Sequence, residues 1–480
     1  MGVVHRFNVH GGFRYVRFII LVAAALYLAF VQASIIVFNV AYVEMADHTT
    51  SPLLESYLNL MRNQTAFSQS VGSAERIAPD SIDFDWAPSS LPLSQRRYTI
   101  SSVHKSFAFA GSFAGSLFGT FPMLWLLRYA GARKAISSTM LIIGAVCAVL
   151  CGLTPLSISA SFWLFVALRF ASGFVSAPTL PLTGAIIEDW AAMEEKGLFI
   201  SCLTGSIEIA MLFTLPVGAL IAENISWPAT FYIHALICAF FTLTLFLVYR
   251  DDPAKHPMLT IEEVKLIKQG KNGATDRAAS PSTRTVLSSK AIWAVFIAAM
   301  GTYFVAQFLT IFSPQYFTSV LGYSTTIAGT MTIIPTIGLL PVKFITGVVS
   351  DRLNILSEVC KLRLFNSLSS FIGASILIVA VFVRPGVADV VATALIILPF
   401  IFYGFSTGGF QKAGVMIARE HAPFVFSLMH IFDMVALLAA TFIIPLLTPD
   451  NTFAVLLISS NVVFTIFVKA EPDAWAIPKV

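Results

Sequence analysis

"FVALRFASGFV", residues 165–175, sets one guanidinium, that of Arg169, in an apolar run where no other Asp, Glu, Lys or Arg appears between Lys134 and Glu188. About 20 apolar residues at 1.5 Å per residue cross a hydrocarbon core roughly 30 Å thick. Runs of that length recur along nearly all 480 residues, of which 57% are hydrophobic and only 12% charged. The mean hydropathy is +0.81. Soluble domains average about 25% charged residues, so the composition excludes a soluble enzyme or scaffold and predicts an all-helical, polytopic membrane protein. The net charge of +4 is spread over many loops, with no basic stripe interleaved with aromatics, so nucleic acid is not an expected partner.

Outward from Arg169, apolar runs predict helices at about 18–43, 103–127, 136–155, 160–187, 198–222 and 229–249, and again at about 290–317, 325–349, 362–383, 389–417, 425–447 and 452–469. That makes twelve spans in two sets of six. The first run is too long for a signal-peptide core of about 7 to 15 residues, and Arg6, Arg14 and Arg17 precede it; it reads as a retained helix with a cytosolic N-terminus. An even number of spans returns the C-terminus to the cytosol. Arg128, Arg133, Lys134, Lys255, Lys265, Lys268, Lys271, Arg352, Lys361 and Arg363 then all fall in cytosolic turns, as the positive-inside bias demands.

The expected organisation is a cytosolic segment 1–17, a first six-helix bundle 18–249, a linker 250–289, a second bundle 290–469 and a cytosolic tail 470–480. Within the first bundle, loop 44–102 faces the lumen or the exterior and carries the sequon Asn63-Gln64-Thr65, a glycosylation acceptor by pattern. In the linker, Thr260-Ile-Glu-Glu263 is a capping box followed by Ile261, Val264 and Ile267 at helical spacing, which predicts a short amphipathic helix on the cytosolic surface. All five cysteines (Cys147, Cys151, Cys202, Cys238, Cys360) lie in or beside apolar runs, so neither a disulfide framework nor a metal site is indicated.

Two short turns occupy equivalent places after the second helix of each half: "GTFPMLWLLRYAGARK" from Gly119 and "GVVSDRL" from Gly347. A glycine before a charged turn lets helices approach closely, and duplication of one unit is how alternating-access carriers are built. With these residues the chain resembles the major facilitator superfamily. Gly347, Asp351 and Arg352 match the second copy of its cytosolic loop signature, and Gly131, Arg133 and Lys134 remain of the first. Within it the chain is similar to the anion:cation symporter family of vesicular glutamate transporters, sialin and type I sodium/phosphate transporters. The residues that carry this likeness are "DDPAKHPMLTIEEVKLI" at 251–267, Gly205-Ser206, Pro216, Gly218, Trp227, Phe231-Tyr232 and "EPDAWA" at 471–476. It covers most of residues 100–352. Five charged or ionisable positions of the glutamate members align with Ile35, Arg169, Thr302, Phe109 and Ser176, so only Arg169 keeps its character.

The resemblance implies two six-helix bundles related by pseudo-symmetry and transport of a small organic or inorganic anion, coupled to sodium or protons. A neutral-solute uniporter and a transport-inactive receptor are the alternatives. No P-loop, nucleophile elbow or H-E-x-x-H motif occurs, so no enzyme is expected. A lipid bilayer, an anionic solute and a monomeric state are the expected associations, in a plasma, vesicular or lysosomal membrane.

Arg169 lies about nine residues, or roughly 14 Å, inside the fourth helix, near the midplane. A charge there costs about 2.5–3.5 kcal/mol on insertion scales unless it faces a cavity or a partner. It is the candidate substrate-binding residue, or else it is paired with Glu208, at similar depth in the fifth helix. Glu208 could instead couple transport to a proton. Asp433 occupies the corresponding depth in the eleventh helix, with His430 on the same face; these two are coupling candidates or a satisfied polar pair. Lys343 and Lys412 lie late in their helices, where long side chains snorkel to headgroups; Lys412 is also a candidate for a charge pair. Gly347, Asp351, Arg352, Arg133 and Lys134 form the expected cytosolic gate. His234 reads as a packing residue.

Overall fold

The computed structural model describes residues 15–45, 92–95, 98, 102–129, 136–269, 282–319, 321, 323, 325–382, 389–443 and 452–476. Asn63, Arg133 and Lys134 lie outside them. The first half contains α1 (Val16–Met45), α2 (Ser102–Tyr129), α3 (Ile136–Ala160), α4 (Phe162–Ser176), α5 (Thr179–Trp190), α6 (Lys196–Thr204), α7 (Ser206–Asn224) and α8 (Trp227–Val248). Two short helices, α9 (Ile261–Lys268) and α10 (Thr283–Leu287), follow in the linker. The second half contains α11 (Lys290–Ser319), α12 (Thr325–Arg352), α13 (Glu358–Phe382), α14 (Asp389–Phe402), α15 (Phe410–Ala418), α16 (Ala422–Ile443) and α17 (Thr452–Phe467).

These segments make twelve passes, because α4 with α5, α6 with α7, and α14 with α15 are each one pass in two pieces. Among the described residues, nine helical stretches are long and apolar enough to cross a membrane. Pro178 and Gly205 mark the first two breaks, and the glycine-rich 3-10 segment Tyr403–Gly408 the third. Proline lacks the amide that an unbroken ladder needs, and glycine costs about 1 kcal/mol more than alanine inside a helix. The broken passes are where sequence periodicity alone gives single helices.

The packing departs from the soluble pattern, although apolar side chains such as Trp190 and Phe296 also fill the interior. Leu220, Leu236, Phe240, Phe382 and Val390 are exposed, whereas Ser, Thr and charged side chains are buried. In lipid there is no hydrophobic drive between helices, so small and polar residues hold the interfaces. Gly115 and Gly119 of α2 and Gly173 of α4 sit so close to the opposite backbone that an added Cβ would collide with Phe170 O, Phe174 O and Ser112 O respectively. This seam presses α4 against α2 and fixes where the Arg169 side chain leaves its helix. The halves meet along α2 and α5 against α16, and along α6 and α7 against α12.

The linker docks on the first half. Thr260 Oγ1 accepts the Glu263 amide at 3.3 Å, as the capping box predicts. The Glu263 carboxylate does not return to close the box: its Oε1 accepts the Arg17 amide at 3.1 Å and the Arg17 guanidinium at 3.0 Å. Arg17 also grips Glu195 with two bonds of 2.8 Å each. The start of α1, the turn before α6 and the linker helix are thus one cluster, so α9 is held by protein partners and not by headgroups alone. Asp251 accepts the amide and hydroxyl of Ser137 at 2.9 and 3.1 Å, which ties the linker to the start of α3.

Candidate functional site

A cavity of about 260 Å³ lies between the halves, lined by residues of both. It falls just below the roughly 300–1,000 Å³ usual for small-molecule sites, a size suited to a compact solute. The ionisable side chains on its wall include Glu208 of α7, Lys343 of α12, and His430 and Asp433 of α16, with Tyr303 and Tyr403 beside them. The breaks in the fourth, fifth and tenth passes bring Ser176, Thr179, Thr204, Ser206 and Tyr403 to the same wall.

Glu208 does not meet Arg169. Its Oε1 accepts from Lys343 Nζ at 2.7 Å, and Lys343 also donates to Thr204 O at 3.3 Å. Lys343 is 2% exposed and lies beneath the Tyr403 ring at 5.5 Å. It therefore does not snorkel. Nine residues separate it from Arg352 at the end of α12, roughly 14 Å along the axis, which is beyond the reach of a lysine stem. That count, applied to Lys343 as it was to Arg169, is the signal that would have placed it in the cavity.

Arg169 is 6% exposed and is not among the residues that line the cavity. Its NH1 donates to Ile35 O at 2.8 Å and its Nε to Ala108 O at 3.4 Å, with the guanidinium carbon 4.7 Å from the Phe38 ring centroid. Among the described residues it has no carboxylate partner. Its helix neighbour Gly173, one turn on, is in the cavity wall. The alternative of an Arg169–Glu208 pair is thus corrected: α4 is turned so that its arginine enters the seam with α1 and α2, while Glu208 meets Lys343.

His430 Nε2 shares a 2.8 Å hydrogen bond with Ser116 Oγ, joining α16 to α2 across the halves. Asp433, 3% exposed, faces the cavity one turn away, and its Oδ1 has no hydrogen-bond partner among the described residues. His430 and Asp433 therefore share a face without forming a pair with each other. His234 Nδ1 meets Thr230 O at 2.8 Å within its own helix, as a packing residue would.

Toward the linker side the halves close. An added Cβ at Gly347 would strike Ser201 of α6, and one at Gly197 would lie 2.6 Å from the Asp351 carboxylate. Asp351 accepts the Leu198 amide at 3.1 Å, so a carboxylate at the end of α12 sits on the first turn of α6, where free amides and the helix dipole favour an anion. Lys412 Nζ lies 2.8 Å from Asp351 Oδ1 and donates to Ser350 Oγ at 3.0 Å. At 6% exposure, Lys412 does not snorkel either; it holds Asp351 in place. Arg352 is exposed.

Comparison with known proteins places this geometry. The family model described as Major Facilitator Superfamily matches residues 25–441. Sialin of Homo sapiens is 24% identical over 69% of this chain and 69% of its own. Vesicular glutamate transporter 2 of Bos taurus is 22% identical over 84% of this chain and 69% of its own. Among solved structures, the proton:xylose symporter XylE bound to 6-bromo-6-deoxy-D-glucose superposes with a TM-score of 0.62 at 14% identity, covering 94% of each chain. At that identity the likeness concerns the fold alone.

Proposed function

We propose, from the premise that the chain belongs to the Major Facilitator Superfamily, that this transporter moves a small anion by secondary active, alternating-access transport driven by a cation gradient. One observation carries the reading. The buried Arg169 charge is solvated by two neutral carbonyls and a ring face, with no carboxylate among the described residues to cancel it. Neutral acceptors leave the full positive charge in place one turn from the cavity wall, and a buried charge without a counter-ion is costly. An anion entering beside Gly173 relieves that cost through the field of the charge, and two-point contact of the guanidinium fork with carboxylate or phosphate requires Arg169 to release Ile35 O and Ala108 O and turn toward the cavity. The similarity to sialin and vesicular glutamate transporters supports the same class of solute.

In the transport cycle, the Asp351 contact with Leu198 and the Gly347 contact with Ser201 are the linker-side gate. Their separation opens the cavity to that side. The distribution of Lys and Arg supports a cytosolic position for the linker and both termini, with Asn63 and its loop on the other face. A neutral solute would leave Arg169 unmatched, which is why the uniporter reading is weaker.

Reconstituted vesicles test the proposal with a panel of probes: inorganic phosphate, L-glutamate, lactate and, as the neutral control, D-xylose. Saturable flux of one or more anions is expected, with kcat/KM reduced at least tenfold, about 1.4 kcal/mol, in Arg169→Ala and less in Arg169→Lys. Flux of the neutral control alone, or anion flux indifferent to both substitutions, would overturn it. No flux of any solute through a correctly folded protein would favour a receptor.

A further inference from the structure

We infer that Asp473 and Trp475, in the segment 471–476 after the last helix, are positioning residues for the linker-side gate and act on it through the Arg419 turn and Lys412. The inference rests on the gate reading above, in which Asp351 and Lys412 hold the halves together, and adds to it residues that lie outside the cavity lining.

The segment is anchored at two helix ends. Ser289 precedes α11, where its Oγ accepts the Ile292 amide at 3.4 Å, and the same hydroxyl donates to the Asp473 carboxylate. A carboxylate at the start of a 30-residue helix also meets free amides and the positive end of the dipole. At the other anchor, the Asp473 amide donates to Ile417 O at 3.2 Å. Ile417 lies in the last turn of α15, where carbonyls have no amide ahead of them in the helix. The Ala476 amide then donates to Asp473 O at 2.8 Å, and the Trp475 ring centroid lies 6.1 Å from that of His421. Trp475 packs against the main apolar core, and Ala476 is buried. The indole Nε1 is buried without a hydrogen-bond partner among the described residues, so the ring supplies contact area and not a donor.

What the segment holds is a strained turn. The chain reverses from α15 into α16 within Arg419–His421, and Arg419 has φ 45° and ψ −119°. It is the one non-glycine residue with positive φ among the described residues. A Cβ crowds the backbone there, so the conformation persists only where its surroundings hold it. The two contacts of the segment, at Ile417 and at His421, fall on either side of Arg419. Without them the turn relaxes.

Relaxation reaches the gate because α15 is short. Lys412 lies five residues before Ile417, roughly 8 Å along the axis, and its Nζ meets Asp351 Oδ1 at 2.8 Å and Ser350 Oγ at 3.0 Å. At the opposite end of α15, Gly408 and Gly409 lie against Phe365, Thr346 and Asn366 with no room for a Cβ. A nine-residue rod gripped at its glycine end answers a change at Ile417 by tilting as a whole. Charge-assisted bonds depend on geometry, so the ammonium loses its hold on Asp351 as the rod tilts.

Labelling of a cysteine under the gate tests this in the full-length protein in vesicles. Ser201→Cys is made with Cys202 and Cys360, the less buried native cysteines, replaced by alanine. A polar maleimide is added from the linker side, and the buried Cys147 and Cys238 report any general loosening. Asp473→Ala and Trp475→Ala should each raise labelling about fivefold, the low end of what relief of such strain is worth. Trp475→Phe, which keeps a ring, should label as the wild type does. Added to Asp351→Asn, neither alanine variant should increase labelling beyond Asp351→Asn alone, because all three act on one contact. Alanine variants that label no faster, while Asp351→Asn does, would sink the inference and leave the gate standing. A combined gain equal to the product of the separate gains would sink it too, as would labelling of Cys147 and Cys238, or a Trp475→Phe variant as fast as Trp475→Ala. If Asp351→Asn itself changes nothing, the gate reading fails and takes this inference with it.

Discussion

Lys343 Nζ lies 2.7 Å from Glu208 Oε1, and this contact spans the two halves of the molecule, α12 on one side and α7 on the other. Both side chains are nearly without solvent, at 2% and 7% exposure. Removing one partner of a buried pair leaves an uncompensated charge and costs about 3–5 kcal/mol, whereas replacing both by apolar groups is often neutral. Lys343→Met and Glu208→Gln should each lower the melting temperature in detergent markedly, and the double variant should recover most of the loss. A strictly additive double variant would show that the two residues do not act as a pair.

The α2–α4 seam makes a prediction about volume. Gly173→Ala places a methyl group against Ser112 O, which is main chain and cannot rotate away. Overpacking of this kind costs about 1–3 kcal/mol. The variant should melt earlier and lose anion affinity together, because Arg169 leaves α4 one turn before Gly173. Gly152→Ala, whose Cβ would meet only Ala235 at an ordinary 3.8 Å, should do neither.

The gate makes a prediction about access. Ser201 is fully buried in α6, under Gly347 of α12. A cysteine placed there by Ser201→Cys should react slowly with a polar maleimide added from the linker side. Adding Asp351→Asn weakens the hold on the Leu198 amide and on Lys412. Labelling should rise about tenfold, equivalent to roughly 1.4 kcal/mol of gate stability. An unchanged rate would mean that the carboxylate does not hold the halves together.

His256, in the linker, carries a pH prediction. Its Nε2 donates to Val248 O at 3.1 Å and its Nδ1 accepts the Met258 amide at 3.3 Å, so the neutral ring satisfies both contacts. Burial pushes its pKa below the ordinary value, against the opposing effect of the Val248 bond. The sign follows: the unfolded chain takes up the proton first, near pH 6.5. The stabilisation is therefore complete above that value and is lost as pH falls toward the lower folded pKa. Melting measured at pH 7.5 and pH 5.0 should show a smaller drop for His256→Gln than for the wild type.

The twelve passes were legible because hydrocarbon thickness imposes a length, and length is a property of sequence. Distance to helix ends sets Arg169, Glu208 and Asp433 at similar levels; Glu208 and Asp433 do line one cavity, and Arg169 lies one turn before Gly173 of its wall. Azimuth was not legible. Whether Arg169 turns toward Glu208 or toward Ile35 and Ala108 depends on how α4 rotates as Gly115, Gly119 and Gly173 close the seam, and no single-helix pattern contains that rotation. Lys343 shows the opposite failure. Its depth was countable, but an allowance for snorkelling concealed it.

The interruptions at Pro178, Gly205 and Tyr403–Gly408 all border the cavity, while the contacts of Gly347, Asp351 and Lys412 lie beyond it toward the linker. Three of the twelve passes are accordingly jointed rods, each with its elbow at the level of the cavity. A solute that pulls on one elbow can swing the short arm beyond it without dragging the long arm through the lipid. The geometry is then that of a half-length lever with the cavity at its fulcrum.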